Sequence, residues 1–520
     1  MITGSEADAV VIGAGHNGLV AANLLADAGW SVVVCEATPH IGGAVRTAEV
    51  TAAGYHTDLF SPFYPLSVAS PIVSALRLED YGLRWRHAPA VLAHVFPDDR
   101  CAVLYRDRQR TAESLAIFHP DDGGAWLHLV DQWDEIARPL LDALFTPFPP
   151  ILPTQRLLWS LGISGLLRFA RMAVQPVRRF GEETFRGAGG PMLLAGNALH
   201  ADLPPDGAGR AMYGWLLCML GQSYGFPVPI GGAGRLADAL AARLRARGGV
   251  VRLDAPVTQI VLAHGRASGV QLASGEKLAV GRAVIADVTA PQLYFGLIGE
   301  DRLPRQLVTD LRKFQWDAPT LKINWALSRP VPRTAEPARL AGTVHLGVDL
   351  NGLTDYAADL ATRRIPRRPF LLMGQMTTSD PTRSPAGTES AWAYTHVPAG
   401  IDLSDGRLKP MSNSSIGSSN GTLQDSCNSS WVATHKARPT YKPLIQTWYP
   451  APSTVAPRSC ISSSSFARSQ ASAERRRRST GSISAARRRT LEGVCTGDQA
   501  PMLRTSRSRA PASPAGPAAQ

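Results

Sequence analysis

Apolar residues near the amino end fall in two short unbroken runs, Ala9–Ile12 and Val32–Val34. Runs of this length, rich in β-branched residues, predict strands buried on both faces. Between them, Leu19 to Ala26 is a stretch of small apolar residues that stops at Gly29, which predicts a helix. The opening unit therefore reads strand, helix, strand. Further on, Ala90–Phe96 and Cys101–Tyr105 bracket Pro97-Asp98-Asp99-Arg100, a hairpin with a turn-rich loop. From Asp121 to Leu144, Trp126, Leu129, Val130, Trp133 and Ile136 recur at three- and four-residue steps, the period of a helix.

Leu157 to Leu167 is apolar and is followed by Arg168, Arg171, Arg178 and Arg179. One reading is an amphipathic patch lying on a membrane and admitting an apolar substrate. The other is a buried helix with a basic, solvated end. Gly162 and Gly165 weaken a free-standing helix, so the buried reading is adopted. Pro191 to Leu220 is equally apolar, and both stretches are expected to wall an apolar pocket. Near Pro229 the opening pattern returns. Gly231-Gly232-Ala233-Gly234 opens a helix that ends at Gly248-Gly249, and strands follow at Val250–Leu253, Ala255–Val261 and Ala283–Asp287. Thr320–Leu327 alternates as a half-buried strand does, and Glu389–Pro398 is the last patterned stretch.

The turn after the first strand is Gly13-Ala14-Gly15-His16-Asn17-Gly18, the spacing G-x-G-x-x-G. Gly13 permits a tight turn, Gly15 a close approach of backbone to pyrophosphate, and Gly18 close packing of helix on strand. The helix N-terminus then offers N–H groups and a favourable dipole to phosphate. Glu36 closes the second strand at the offset where an acid accepts ribose hydroxyls. An ordinary glycine turn would need none of these partners, so the unit reads as a dinucleotide site. Glu36 disfavours a 2′-phosphate.

After Glu36 come Gly42 and Gly43, then Arg46. This glycine pair and arginine resemble the second FAD contact of the flavin amine oxidase and phytoene dehydrogenase superfamily, and Gly-Ala-Gly-His-Asn-Gly-Leu resembles its phytoene-dehydrogenase-related branch. The resemblance implies FAD, with NAD a distant second. It implies that Gly42 and Gly43 pass over the pyrophosphate, that Arg46 lies near the flavin, and that the backbone of Val257 meets the adenine. It implies an α/β fold in which a Rossmann-type FAD domain (1–60 and 228–300) is interleaved with a mixed-sheet α+β substrate domain (61–227 and 301–400). In this reading the glycine turn at 231–234 starts a helix packing one domain on the other. The implied reaction is hydride transfer to flavin from an apolar substrate, carotenoid- or lipid-like. Amine oxidation, carotenoid isomerisation and a catalytically silent nucleotide-binding role remain alternatives. No catalytic acid–base pair is named. His16 either borders the flavin or fills the turn. Some relatives hold a water near the flavin with a lysine, and Lys322 is a candidate; a solvated or ion-paired lysine is the reading adopted.

The formal charge of +12 would point to nucleic acid, were it not localised. Residues 401–520 hold 17 Lys and Arg against 6 Asp and Glu, leaving 37 against 36 before them. The body is nearly neutral, which excludes a nucleic-acid reading for it. The same segment carries 23 serines and the runs Ser462–Ser465, Arg475–Arg478 and Arg487–Arg489, a composition of disorder. Where the family would place a closing glycine-rich element over the flavin, arginines stand. Glycine codons read out of step give arginine or alanine, so an out-of-frame segment beginning between Pro398 and Pro410 is expected, with a defective product as one consequence. The six cysteines are scattered, with no C-x-x-C pair, so neither a metal site nor a redox dithiol is expected. A short polar amino end and the lack of any spanning stretch read as cytoplasmic. The expected partner is a small apolar substrate, with peripheral membrane contact and oligomeric state left open.

Overall fold

The computed structural model describes residues 6–200, 204–398 and 446–447. Apart from that last pair, the serine- and arginine-rich segment expected to be out of frame lies outside the described residues.

The strand Glu6–Ile12 is the axis of a six-stranded sheet. It pairs in parallel with Val32–Cys35 on one side and Lys277–Ala286 on the other. Val250–Arg252 extends the parallel part beyond Val32–Cys35. At the opposite edge Val257–Ala263 and Arg266–Leu272 add an antiparallel ribbon. Ala9, Val10 and Val11 have no exposed surface, as a strand covered on both faces requires. One face is covered by the helices His16–Asp27 and Gly234–Ala246, which Asn23 ties together by donating from Nδ2 to Leu240 O at 2.9 Å. The other face packs on Tyr294, Leu297, Ile298 and Leu311.

The second sheet has seven strands and is mixed. Ala90–Val95 and Cys101–Leu104 form the expected hairpin, and Ala90–Val95 runs parallel to Ala341–Leu346. Thr320–Leu327 pairs along its whole length with Glu389–His396. The helices Asp122–Phe145, Gly189–Leu199 and Arg210–Tyr224 cover one face, with Trp126, Trp133 and Trp215 buried in the layer. Each indole N–H finds a partner, Trp126 on Gln222 Oε1 at 3.0 Å and Trp133 on Ser223 Oγ at 2.8 Å, as buried tryptophan requires.

One expectation is corrected here. Leu157–Leu167 is helical within Ile151–Val174, but the helix is not buried: Trp159 is 87% and Ile163 85% exposed. Only Leu157 and Met172 reach the core fully, because the helix lays one narrow stripe on its neighbours. Gly162 breaks it with φ 59° and ψ −177°. The helix opened at Gly234 packs against His16–Asp27 and also against Leu76 and Leu78 of the 61–227 segment, where Arg243 Nε donates to Leu76 O at 2.8 Å. The glycine turn before it reaches the 301–400 segment, with Gly231 N–H donating to Asp380 Oδ2 at 2.7 Å.

Candidate functional site

Of the residues expected to hold a dinucleotide, Gly13, Gly15, Gly18, Glu36 and Gly42 come together where the first two strands end, near the centre of the first sheet. Gly13 has φ +100° and donates its N–H to Cys35 O at 2.8 Å, which brings the loop against the end of the second strand. A Cβ on Gly18 would stand 2.3 Å from Gly13 O, and one on Gly15 2.8 Å from Asp287 Oδ2. No side chain fits at either position, so the backbone itself forms the cradle. Glu36 Oε2 accepts from Ala14 N–H at 2.8 Å, while Oε1 accepts from Thr38 N–H and Oγ1 at 3.0 and 2.9 Å.

Gly42 donates to Ala14 O at 2.8 Å and forms a bridge with Gly15, laying the second glycine pair across the first loop. With φ +105°, and a Cβ that would lie 2.2 Å from Val45 O, Gly42 accepts no other residue. Arg46 is half-buried, and its guanidinium makes no ion pair with a described residue. Val257 arrives from far along the chain. Asp254 N–H donates to Thr38 O and Ala255 N–H to Glu36 O, at 3.2 and 2.8 Å, which sets the start of its strand beside the acid. His16 is the first residue of the helix, and burial pulls its imidazole down to about 4, leaving it neutral at pH 7.

Asp287, at the end of the strand that pairs with Glu6–Ile12, was not foreseen. Its Oδ2 accepts from Gly18 N–H at 2.8 Å, a donor of the helix N-terminus. Burial raises its carboxyl to about 6; the Gly18 hydrogen bond opposes this and the nearby Glu36 charge adds to it. The only sequence signal was its place as a strand-terminal acid, matching Glu36, which closes the strand on the other side of Glu6–Ile12.

Between the two sheets lies a buried polar junction, also unforeseen. Asp58 and Arg383, both without exposed surface, form an ion pair at 2.8 Å. Asp58 Oδ1 also accepts from Thr47 Oγ1 at 2.6 Å and from Ala233 N–H at 2.8 Å. Lys322 is not solvated and makes no ion pair with a described residue, which corrects the sequence reading: it is 4% exposed, and Nζ donates to the carbonyls of Asp58 and Phe60 at 2.5 and 2.7 Å. Strand alternation puts it on the helix-covered face, where Nζ lies 5.3 Å from the Trp392 ring centroid. Burial pushes its amine down to about 7; the Asp58 charge works against this and Arg383 with it. Aromatic rings continue that face: Trp392 stacks on Tyr394 at 5.8 Å, and Phe63 stands 6.3 Å from both Trp392 and Phe226.

A glycine cradle with an acid at the end of the second strand and a second glycine pair laid across it is the arrangement of a flavin-dependent oxidoreductase. The chain belongs to the flavin containing amine oxidoreductase family, which it matches over residues 18–380. FAD is its cofactor, and the side-chain-free cradle together with Glu36 fits it. The chain is 27% identical over 431 residues to pyridine nucleotide-disulfide oxidoreductase domain-containing protein 2 of Mus musculus, covering 75% of this chain and 73% of that one. A phytoene desaturase (neurosporene-forming) of Rhodobacter capsulatus is 24% identical over 409 residues, covering 75% and 72%. Among solved structures, putrescine oxidase bound to putrescine shares the fold, with a TM-score of 0.51, 17% identity, and 81% and 83% of the chains covered. A RAB GDI from Plasmodium falciparum also shares it, with a TM-score of 0.50, 12% identity, and coverage of 79% and 86%.

Proposed function

We propose that this oxidoreductase takes hydride from a C–H bond of an apolar, carotenoid- or lipid-like small molecule. The observation that carries this reading is the buried aromatic face of Phe63, Phe226, Trp392 and Tyr394, which continues from Lys322 across the second sheet. Such a surface holds an apolar molecule by burial and stacking and excludes water from it. The desaturase names among the relatives support the same substrate class.

The bound flavin supplies the hydride acceptor; the protein's part is binding, orientation and exclusion of solvent. Gly13, Gly15 and Gly18 would admit the pyrophosphate, with Gly42 and Gly43 passing across it. Glu36 would accept the ribose hydroxyls, Val257 would meet the adenine through its backbone, and Arg46 would set a cation near the ring system. Lys322 donates to two carbonyls either way, and near pH 7 it holds or releases one proton at Nζ. This last feature favours amine oxidation as a second reading, since an amine substrate must lose a proton before it gives up hydride.

Anaerobic bleaching of the flavin band by candidate substrates tests the proposal. Carotenoid or terpenoid hydrocarbons are expected to bleach it; bleaching by alkylamines alone would shift the reading to amine oxidation. Flavin that no substrate class reduces would leave a silent binder. Glu36→Ala, which removes a charged acceptor worth about 1.5–3 kcal/mol, is expected to weaken FAD binding by roughly ten- to a hundredfold. We also propose that the segment after Pro398 is translated out of frame, on the strength of its composition and of Arg487–Arg489. Resequencing the gene tests it, and an uninterrupted frame yielding this segment would dispose of it.

A further inference from the structure

We infer that the helix Ile151–Val174 docks the protein on the surface of an anionic lipid bilayer. Its outer stripe is apolar and bare. On the first half Leu152 and Trp159 stand seven apart, on the second Ile163, Leu167 and Val174 follow at steps of four and seven, and each of the five is 66–87% exposed. Single exposed apolar residues are ordinary, but five large ones along two adjoining helical halves mark an interaction site.

The charges choose the occupant. Within Ile151–Val174 there is no Asp or Glu, while Arg156, Arg168 and Arg171 are all exposed. Arg171 is paired with Glu183 at 2.7 Å. Arg156 and Arg168 make no ion pair with a described residue; Arg168 reaches only Ser164 Oγ, at 3.5 Å. Exposed arginines interleaved with apolar side chains and a bare tryptophan suit a headgroup boundary, where the guanidinium stems snorkel to phosphate and the indole sits at the interface.

The break at Gly162 decides between lying on the bilayer and crossing it. By length and composition the helix could span. Its two halves, 151–161 and 163–174, are each only about 17 Å long at ~1.5 Å per residue, against a hydrocarbon core of about 30 Å. A spanning helix broken at its middle would leave backbone N–H and C=O groups unpaired in hydrocarbon. At the interface, water and headgroups satisfy them. This inference is independent of the redox chemistry, and its readout involves no flavin.

Flotation of the purified full chain with phosphatidylcholine vesicles carrying about a third phosphatidylglycerol tests it. The wild type is expected to float. Trp159→Glu combined with Ile163→Glu is expected to lower partitioning about a hundredfold, at ~1.5 kcal/mol or more for each large side chain withdrawn from lipid. Arg156→Gln with Arg168→Gln is expected to lower it roughly tenfold or more, and only on the anionic vesicles. The basic segment 401–520 is the same in every variant, so its own attraction to the vesicles cancels. Leu152→Glu with Leu167→Glu serves as the second pair should the first fail to fold by circular dichroism.

Equal flotation of wild type and glutamate variants would overturn the inference. So would a dimer that the glutamates dissociate in the absence of lipid, because the stripe would then cover a second copy.

Discussion

Asp287 gives the sharpest test of how the nucleotide loop is built. Its carboxyl, raised from 3.8 to about 6, is held beside Gly18 and Glu36 by the strand end that carries it. An acid whose folded pKa exceeds its unfolded value favours folding at low pH, where it is protonated in both states. That contribution is lost as pH rises through the folded value. The difference of about two units corresponds to a penalty of ~3 kcal/mol once both states are ionised, an upper figure for a half-buried group. Asp287→Asn keeps an oxygen to accept from Gly18 and cannot ionise. Its stability advantage over wild type should therefore grow from about 1.5 kcal/mol near pH 5 to about 3 kcal/mol near pH 7.5. Urea unfolding of the two full chains in parallel, followed by tryptophan fluorescence across that range, measures the difference. The slope with pH is the diagnostic quantity, because lost packing would shift both ends alike. A pH-independent difference, or an advantage that shrinks as pH rises, would refute the placement of this carboxyl.

The Asp58–Arg383 pair has no solvent to fall back on, so Arg383→Met should cost about 3–5 kcal/mol by stranding the carboxylate. Adding Asp58→Asn should recover at least half of that in the same urea assay, and no recovery would contradict the pairing. Gly18→Ala sets a Cβ 2.3 Å from Gly13 O and should abolish flavin retention on gel filtration, whereas Gly124→Ala, in a helix with open space around it, should be neutral or slightly stabilising. Lys322→Met removes a cation whose folded value lies below its unfolded one. The stability it gains over wild type should be full below about pH 7 and fade toward pH 10 in thermal melts, and a gain that rises with pH would argue against a buried ammonium.

The local units were legible early because their causes are local. Strand, glycine turn, helix and ribose acid lie within Ala9–Glu36, and the backbone freedom of Gly13 and the buried run Val32–Val34 needed no distant partner to be recognised. The hairpin at 90–105 and the helix through Trp126 and Trp133 were legible for the same reason: period and turn residues are properties of neighbouring positions. The glycine pair at 42–43 was singled out through family resemblance, and the bridge between Gly15 and Gly42 lays it across the first loop.

Tertiary structure decided what depends on distant residues. Asp287 lies 269 residues from the Gly18 N–H it accepts, and Lys322 264 from the Asp58 carbonyl it donates to. No window of sequence contains either relation, so Lys322 read as solvated or ion-paired and Asp287 read only as the end of a strand. The exposure of Ile151–Val174 is of the same kind. An apolar stretch records that water is unfavourable around it, but not which surface replaces the water. The sequence by itself determined the dinucleotide cradle, since glycine spacing acts through the backbone of adjacent residues. Burial, charge pairing and the face left open to a partner were settled only when the chain folded, because each depends on atoms brought in from elsewhere.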